Sequence, residues 1–377
     1  MTGFIGRPDT AVNTAIPPMR HLISAPRLRA LVFSVLQASG SAPAEAGVVA
    51  DHLVDANLVG HDSHGVGMLP LYLGSVRRGG LFFNRPPRQV CDLDTMLVYD
   101  GDRGFGHPAA RMVLAAAAER ARKLGVAIAA LRNSGHVGRV GAHGELLAAD
   151  GLAALLFVNA VGRPPTVAPD GGAEARLSSN PFCFAYPAID GMAPVVLDAA
   201  TAGMAVGKAR IAQAQGAALA PGLLLDDRGR PTTDPRFALG DPHGALLPFG
   251  LHKGSGLGLF CELFAGALTG GETAQPGNGN QGRMAAANNL FAVVIDAQRL
   301  SGRGSAQTEA RAMLEYFRSA RPLDPAHPVM IPGELEARTR TQRASQGIAL
   351  DAATWAQLAI EARTAGVTMP AVEARAA

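Results

Sequence analysis

An alternation running from residue 91 to residue 300 constrains the fold most. Short apolar runs at 96–99, 126–131, 153–158, 182–186, 195–197 and 290–295 are separated by Ala-rich stretches of helical spacing at 109–123, 141–150, 203–215 and 256–269. A short apolar run suits a buried strand. Apolar positions recurring with the helical period give a helix one buried face. Their alternation predicts an α/β layer architecture. On either side the pattern is helical. Residues 24–60 read as two helices, one after Ser24 with Pro26 in its first turn and one after Ser41 with Pro43 in its first turn. Proline is tolerated there because first-turn N–H groups lack intrahelical acceptors. Further helices are expected at 308–320, 332–345 and 352–365. The chain thus divides into a tail at 1–20, a helical domain assembled from 21–90 and 301–377, and an α/β domain at 91–300.

Composition narrows the class. At 377 residues, with 48% hydrophobic and 17% charged, the chain can bury cores for two domains and is not a disordered polymer. The net charge is +3, but the arginines are scattered and do not interleave with aromatics, so no nucleic-acid partner is expected. Cys91, Cys183 and Cys261 form no CxxC pair. They suggest neither a zinc knuckle nor a disulfide framework, and read as small hydrophobes in a reducing compartment. No apolar run reaches the ~18 residues that span a bilayer. The first twenty residues, with Pro8, Pro17 and Pro18, do not read as a signal peptide. A cytoplasmic protein without a membrane partner is expected.

Two clusters carry chemistry. His61-Asp62-Ser63-His64-Gly65-Val66-Gly67-Met68 follows the apolar-periodic segment 46–59 and puts two imidazoles, a carboxylate and a hydroxyl at a helix end. Imidazole exchanges protons near neutral pH. A helix-end histidine is, however, more often a cap. In Asn133-Ser134-Gly135-His136-Val137-Gly138-Arg139-Val140-Gly141-Ala142-His143-Gly144, glycine recurs at every third position from 135. Such a run either lets backbone approach a ligand and bind anions or simply turns the chain into a helix. Lysine usage is a third clue. Of 34 basic residues only Lys123, Lys208 and Lys253 are lysines. Arginine's planar fork does not replace a compact ammonium, so Lys208 and Lys253 are expected to have specific tasks.

Gly104-Phe105-Gly106-His107-Pro108-Ala109 matches the GxGxxG/A dinucleotide fingerprint. We reject that reading. Asp100 to Arg103 separate the strand from the first glycine, and Asp100 and Asp102 would repel a pyrophosphate. The strand after the helix ends in Arg132-Asn133, which offers no acid to a ribose hydroxyl.

From about residue 25 to about 365 the chain resembles the second type of malate/L-lactate dehydrogenases, non-Rossmann NAD(P)-dependent reductases. The resemblance rests on Gly60-His61-Asp62-Ser63-His64-Gly65, Asn133-Ser134-Gly135-His136-Val137-Gly138, Ser179-Asn180-Pro181, Asp198-Ala199-Ala200-Thr201-Ala202 with Gly207-Lys208, Pro231-Thr232-Thr233-Asp234-Pro235, His252-Lys253-Gly254-Ser255-Gly256-Leu257 and Ile331-Pro332-Gly333-Glu334. Within that family it is most similar to the hydroxycarboxylate dehydrogenase B branch. The resemblance implies the sulfolactate/malate dehydrogenase-like α/β fold, a homodimer, and NAD or NADP as cofactor. It implies His64 as general acid/base, Ser63 orienting it or touching substrate, and His136 as a second catalytic histidine. Cofactor contacts are implied for Gly138, Arg139, Val140, Val196, Leu197, Asp198, Ala199, Ala200, His252, Lys253, Pro332, Gly333 and Glu334. No metal is implied.

The expected reaction is hydride transfer to a 2-oxo acid with proton donation by His64, reversible to 2-hydroxy-acid oxidation. His136 would hydrogen-bond the oxyanion or the carboxylate. One departure stands out. Many family members carry arginine where this chain has Met68, so Arg139 or a backbone amide is expected to take the substrate carboxylate, with Met68 as an apolar pocket wall. Bulkier or aromatic 2-oxo acids become the expected substrates. A cyclic imino-acid (piperideine- or pyrroline-2-carboxylate) reductase on the same fold is the alternative. A metal-dependent hydrolase using His61, His64, His136 and His143 is a remote one, since their spacing is poor and no cysteine or glutamate completes a set.

Overall fold

A computed structural model describes residues 19–376 apart from 190, 241, 279–286 and 302–303. The chain enters through strand β1 (Met19–Ile23), helices α1 (Ala25–Ala38) and α2 (Pro43–Leu58), 3-10 turns at Asp62–His64 and Val66–Met68, and α3 (Leu69–Arg77). There follow β2 (Arg88–Leu93), β3 (Met96–Asp100), α4 (Gly106–Leu124), β4 (Val126–Gly135), α5 (Val140–Ala149), β5 (Leu152–Val161), β6 (Phe182–Tyr186) and β7 (Val195–Ala199). Next come α6 (Val206–Ala214) and the short strands β8 (Leu224–Leu225), β9 (Pro231–Thr232) and β10 (Ala245–Leu246). Then α7 (His252–Cys261) leads to β11 (Ala287–Asp296), α8 (Ala297–Ser301), α9 (Ser305–Arg318), α10 (Glu334–Gln346), β12 (Ile348–Asp351), α11 (Ala352–Thr364) and β13 (Glu373–Ala376).

The six expected strands lie in one seven-stranded sheet, ordered β2-β3-β4-β11-β5-β6-β7. The β3–β4 pair is parallel and the other pairs are antiparallel. The central strand β11 is buried over most of its length, as its nearly continuous apolar sequence requires. Helix α4 buries Ala109, Val113, Ala117 and Ala121 in one row and Ala110, Leu114 and Ala118 in the next. That four-residue spacing places both rows on one face, and alanine lets the helix lie close to the sheet.

Other features exceed the sequence reading. Strand β1 is paired by β12 on one side and β13 on the other, which ties the two chain ends together. Ile348, Leu350, Leu358 and Ala362 share a core with Leu28, Leu53, Leu69 and Tyr72. The 203–215 helix, realised as α6, packs outside the main sheet. With β8, β9 and β10 it closes a separate small core of Leu177, Met204, Leu224 and Leu246. The helix expected at 256–269 changes pitch, from α7 to a π-helical stretch at Glu262–Leu268. There the buried Glu262 carboxylate accepts from Asn159 and Asn180, each at 2.8 Å. Burial raises the thiol pKa of Cys183 and pushes that of Cys261 up to about 12, while Cys91 is half-buried. Among the described residues no helix is long and apolar enough to cross a membrane.

Candidate active site

The His61–His64 cluster divides by direction. His61 and Asp62 face α10. His61 Nε2 lies 3.2 Å from Glu336, and Asp62 accepts from Arg343 at 2.7 and 3.0 Å and from Asn57 at 2.6 Å. These contacts fasten the turn to the C-terminal half of the chain. Ser63 and His64 take the other side, with Ser63 Oγ 3.0 Å from His64 Nδ1. Burial, assisted by the positive charges of His61 and Arg139, lowers the His64 pKa to about 4.

His64 stacks on His136, with ring centroids 5.6 Å apart and planes 20° from parallel. The sheet positions His136. Strand β11 carries an irregularity between Asn288 and Leu290, and its asparagines reach into the adjacent loop. Asn288 Oδ1 accepts from Val137 N–H and Asn289 Oδ1 from Asn133 N–H, each at 2.9 Å. The backbone on both sides of His136 is thereby pinned. Tyr72 Oη stands 2.7 Å from His136 Nδ1 and 3.4 Å from His107 Nε2. Sequence reasoning missed Tyr72. Its signal was its spacing, two helical turns past His64 in an otherwise apolar segment.

Behind this pair lie further imidazoles. His107 packs edge-on against His52, and His52 against His143, with centroids 4.8 and 5.2 Å apart. His52 Nε2 accepts from Arg139 N–H at 2.8 Å, and His143 Nε2 donates to the Val137 carbonyl at 3.0 Å. Burial depresses all of these pKa values, that of His107 to about 3 and that of His143 to about 4.

The glycine run serves packing of the chain on itself. A Cβ at Gly138, where φ is +80°, would lie 2.2 Å from His52 Nε2, and one at Gly141 would lie 2.5 Å from Asp198 Oδ2. The rejected fingerprint is filled in the same way, since a Cβ at Gly106 would meet the Gly135 carbonyl oxygen at 2.1 Å. No ligand approach is needed to explain either glycine pattern.

Arg139 is buried among acids. Its side chain is 1% exposed and pairs with Asp55 at 3.1 Å and Glu145 at 2.9 Å, with Asp198 at 3.9 Å. Arg340 joins the same acids. Burial opposes the Arg139 charge, but Glu145, Asp198 and Asp55 outweigh it and raise its pKa. Nη2 makes the hydrogen bonds to Asp55 and Glu145, while the buried Nε and Nη1 make none among the described residues. Burial raises the Asp198 pKa, offset in part by His61 and Arg139.

The other segments expected to touch a cofactor run along the edge strand β7. The Pro332 carbonyl accepts from Val196 N–H at 3.2 Å, which sets Gly333 and Glu334, at the start of α10, against Val196 and Leu197. Asp198 reaches α5, whose first turn holds Val140 and Gly141. Beyond Ala199 and Ala200, the Thr201 carbonyl accepts from Phe249 N–H at 3.1 Å, just before His252 and Lys253 open α7. Both of these side chains are exposed, and among the described residues Lys253 has no carboxylate partner. An unpaired ammonium at a helix N-terminus fits the phosphates of a dinucleotide. Lys208 lies in the first turn of α6, next to Gly207, whose Cβ position is 3.9 Å from Ser63 Cβ. Met68 is half-buried against the helical core. Among the described residues no group of three His, Cys, Asp or Glu side chains is arranged to hold a metal ion.

The family described as malate/L-lactate dehydrogenase matches residues 23–359. The chain is 39% identical over 354 residues to hydroxycarboxylate dehydrogenase B of Escherichia coli K12, covering 94% of this chain and 97% of that one. It is 42% identical over 324 residues to L-lactate dehydrogenase of Cupriavidus necator, covering 85% and 91%. The solved sulfolactate dehydrogenase of Methanocaldococcus jannaschii superposes with a TM-score of 0.83 at 28% identity, covering 93% of this chain and 98% of that one. The expected sulfolactate/malate dehydrogenase-like fold is therefore the fold of this protein, and the chain belongs to the malate/L-lactate dehydrogenase family.

Proposed function

We propose that the protein reduces 2-oxo acids to 2-hydroxy acids, reversibly, with NADH or NADPH, as a cytoplasmic homodimer. The stacked His64–His136 pair carries this reading, because each ring has its Nδ1 engaged, by Ser63 and by Tyr72. The Nε2 atoms are thereby left for a substrate. A bound reduced nicotinamide supplies the hydride that reaches the carbonyl carbon.

The residues do the rest. His64 donates its proton to the carbonyl oxygen as negative charge develops there. Burial keeps His64 neutral in the free protein, and the carboxylate of an arriving 2-oxo acid favours its protonated form. Ser63 holds the ring. His136, with its proton on Nε2, donates a second hydrogen bond to the oxyanion. Run backwards, neutral His64 takes the hydroxyl proton of a 2-hydroxy acid. Lys253, His252 and the α10 turn at Pro332–Glu334 would hold the cofactor along β7, with Asp198 and the start of α5 beneath it.

Met68 replaces with a thioether the arginine that many family members carry, and an apolar wall there would favour apolar and aromatic 2-oxo acids. A steady-state screen of pyruvate, phenylpyruvate, oxaloacetate and a cyclic imino acid with both reduced cofactors tests this. Phenylpyruvate should give the highest kcat/KM. Turnover of the cyclic imine alone would overturn the oxo-acid assignment.

A further inference from the structure

We infer that Arg163 holds the substrate carboxylate in this chain, an assignment that rests on the 2-oxo-acid reading above. A 2-oxo acid needs a cation next to the group that is reduced. Arg139 is buried among acids that offset its charge, and Met68 is apolar.

Sheet topology supplies the replacement. Strands β4 and β5 both pair antiparallel with β11, one on each side of it, and therefore run in the same direction. Ala287 of β11 is in register with Gly135 of β4 and with Val161 of β5. The segments that follow Gly135 and Val161 thus leave the sheet side by side, about 10 Å apart at two strand spacings. His136 is the first residue of one segment and Arg163 the second of the other. Gly162, at φ +79°, turns the chain, and Pro164 restricts Arg163 to extended backbone, so the side chain starts from a fixed position.

Its electrostatic setting is that of a cation awaiting an anion. Among the described residues no carboxylate pairs with Arg163. Arg163 is exposed at the protein surface, and partial desolvation with the like charge of Arg210 on α6 weakens its hold on its proton. The Arg163 charge is also felt at His136 and disfavours protonation there. A bound carboxylate would offset this like-charge repulsion and could accept a bidentate pair from the Arg163 guanidinium. A carboxylate held by Arg163 places the adjacent carbonyl beside His136 and its stacking partner His64.

The test uses the protein loaded with its reduced cofactor and compares wild type, Arg163→Met and Arg163→Lys. Oxamate binding is measured by calorimetry, cofactor binding by fluorescence, and KM and kcat on the best 2-oxo acid of the screen and on its uncharged methyl ester. Arg163→Met should weaken oxamate roughly 10- to 100-fold and raise KM for the acid by a similar factor, the usual effect of losing a hydrogen bond to a charged group. Cofactor affinity should stay within about twofold, preference for acid over ester should collapse, and Arg163→Lys should recover part of the loss. Unchanged oxamate affinity and KM in folded Arg163→Met would overturn the assignment while leaving the oxo-acid reading intact. An equal loss for acid, ester and cofactor would show a structural role and also overturn it. If wild type binds oxamate through Arg163 yet reduces no 2-oxo acid, the anion site stands and the oxo-acid reading falls. If wild type neither binds oxamate nor reduces any 2-oxo acid, both fall.

Discussion

The Tyr72 hydroxyl lies 2.7 Å from His136 Nδ1, which makes a residue of the helical core the partner of a site histidine. Burial raises the Tyr72 pKa, so the phenol keeps its proton and is a standing donor. Donation along this short contact leaves the His136 proton on Nε2. The weaker 3.4 Å approach to His107 Nε2 then runs the other way, with His107 donating to the phenol oxygen. His107 Nδ1 is left buried and unpartnered, as observed. The core thus sets a tautomer at the site, much as outer hydrogen bonds fix the rings of metal-bound histidines.

Tyr72→Phe keeps the ring in the core and removes only that donor. We expect kcat to fall roughly tenfold, less than the roughly 10²- to 10⁴-fold worth of a proton-transfer group itself, because Tyr72 acts only through His136. Cofactor affinity should not change, and the melting temperature should move by only a few degrees, about what one hydrogen bond is worth. Steady-state kinetics beside a thermal scan decide the matter. An unchanged kcat means His136 needs no help with its tautomer.

Lys253→Ala should raise the cofactor dissociation constant about 10-fold or more, the effect of losing one charge-assisted contact to phosphate. At saturating cofactor, kcat should stay within a few-fold. Fluorescence titration with NADH and with NADPH gives the constants. Equal affinities in variant and wild type would move the phosphate site away from α7. Gly106→Ala is a poor control here, because its Cβ has no space beside the Gly135 carbonyl and the variant should fold poorly.

The interior histidines predict an acid limb in stability. His107 and His143 have folded-state pKa values of about 3 and about 4 against 6.5 for the free side chain. Below pH 6.5 the unfolded chain therefore binds more protons than the native one. Their stabilising contribution is complete above that pH and is lost as pH falls towards the folded values. By pH 5 each forfeits about 2 kcal/mol. The melting temperature should drop steeply between pH 6.5 and 5, and His107→Gln should flatten that slope whatever its own stability. A native protein with a flat profile over that range would refute the assignment of neutral interior imidazoles.

What the sequence revealed follows from where its signals are local. The six strands of the sheet and helices α4 and α5 were legible because each carries its own period. Ser63, His64 and His136 were legible because reactive groups were concentrated in short motifs. Strands β12 and β13 are too short for alternation to register, and their partner β1 lies more than three hundred residues away in the chain. The same limit hid the division of the His61–His64 motif, since Glu336 and Arg343 that claim His61 and Asp62 belong to α10. The Gly-rich run looked like a ligand cradle because a glycine that admits His52 or Asp198 reads the same as one that admits a phosphate. Arg139 looked unpaired because nothing local announced Asp55 or Asp198 as its partners.

The central claim is that His64 delivers the proton as hydride reaches a 2-oxo acid. Its most direct test is the steady-state loss of reduced-nicotinamide absorbance with the best 2-oxo acid, in wild type and His64→Ala, across pH 5 to 8. Wild-type kcat/KM for reduction should fall as pH rises, because the acid must be protonated while burial holds its free-enzyme pKa down at about 4. His64→Ala should lose roughly 10²- to 10⁴-fold in kcat, keep cofactor affinity within a few-fold, and lose that pH dependence. A folded His64→Ala protein with near-normal turnover and the wild-type pH profile would contradict the account.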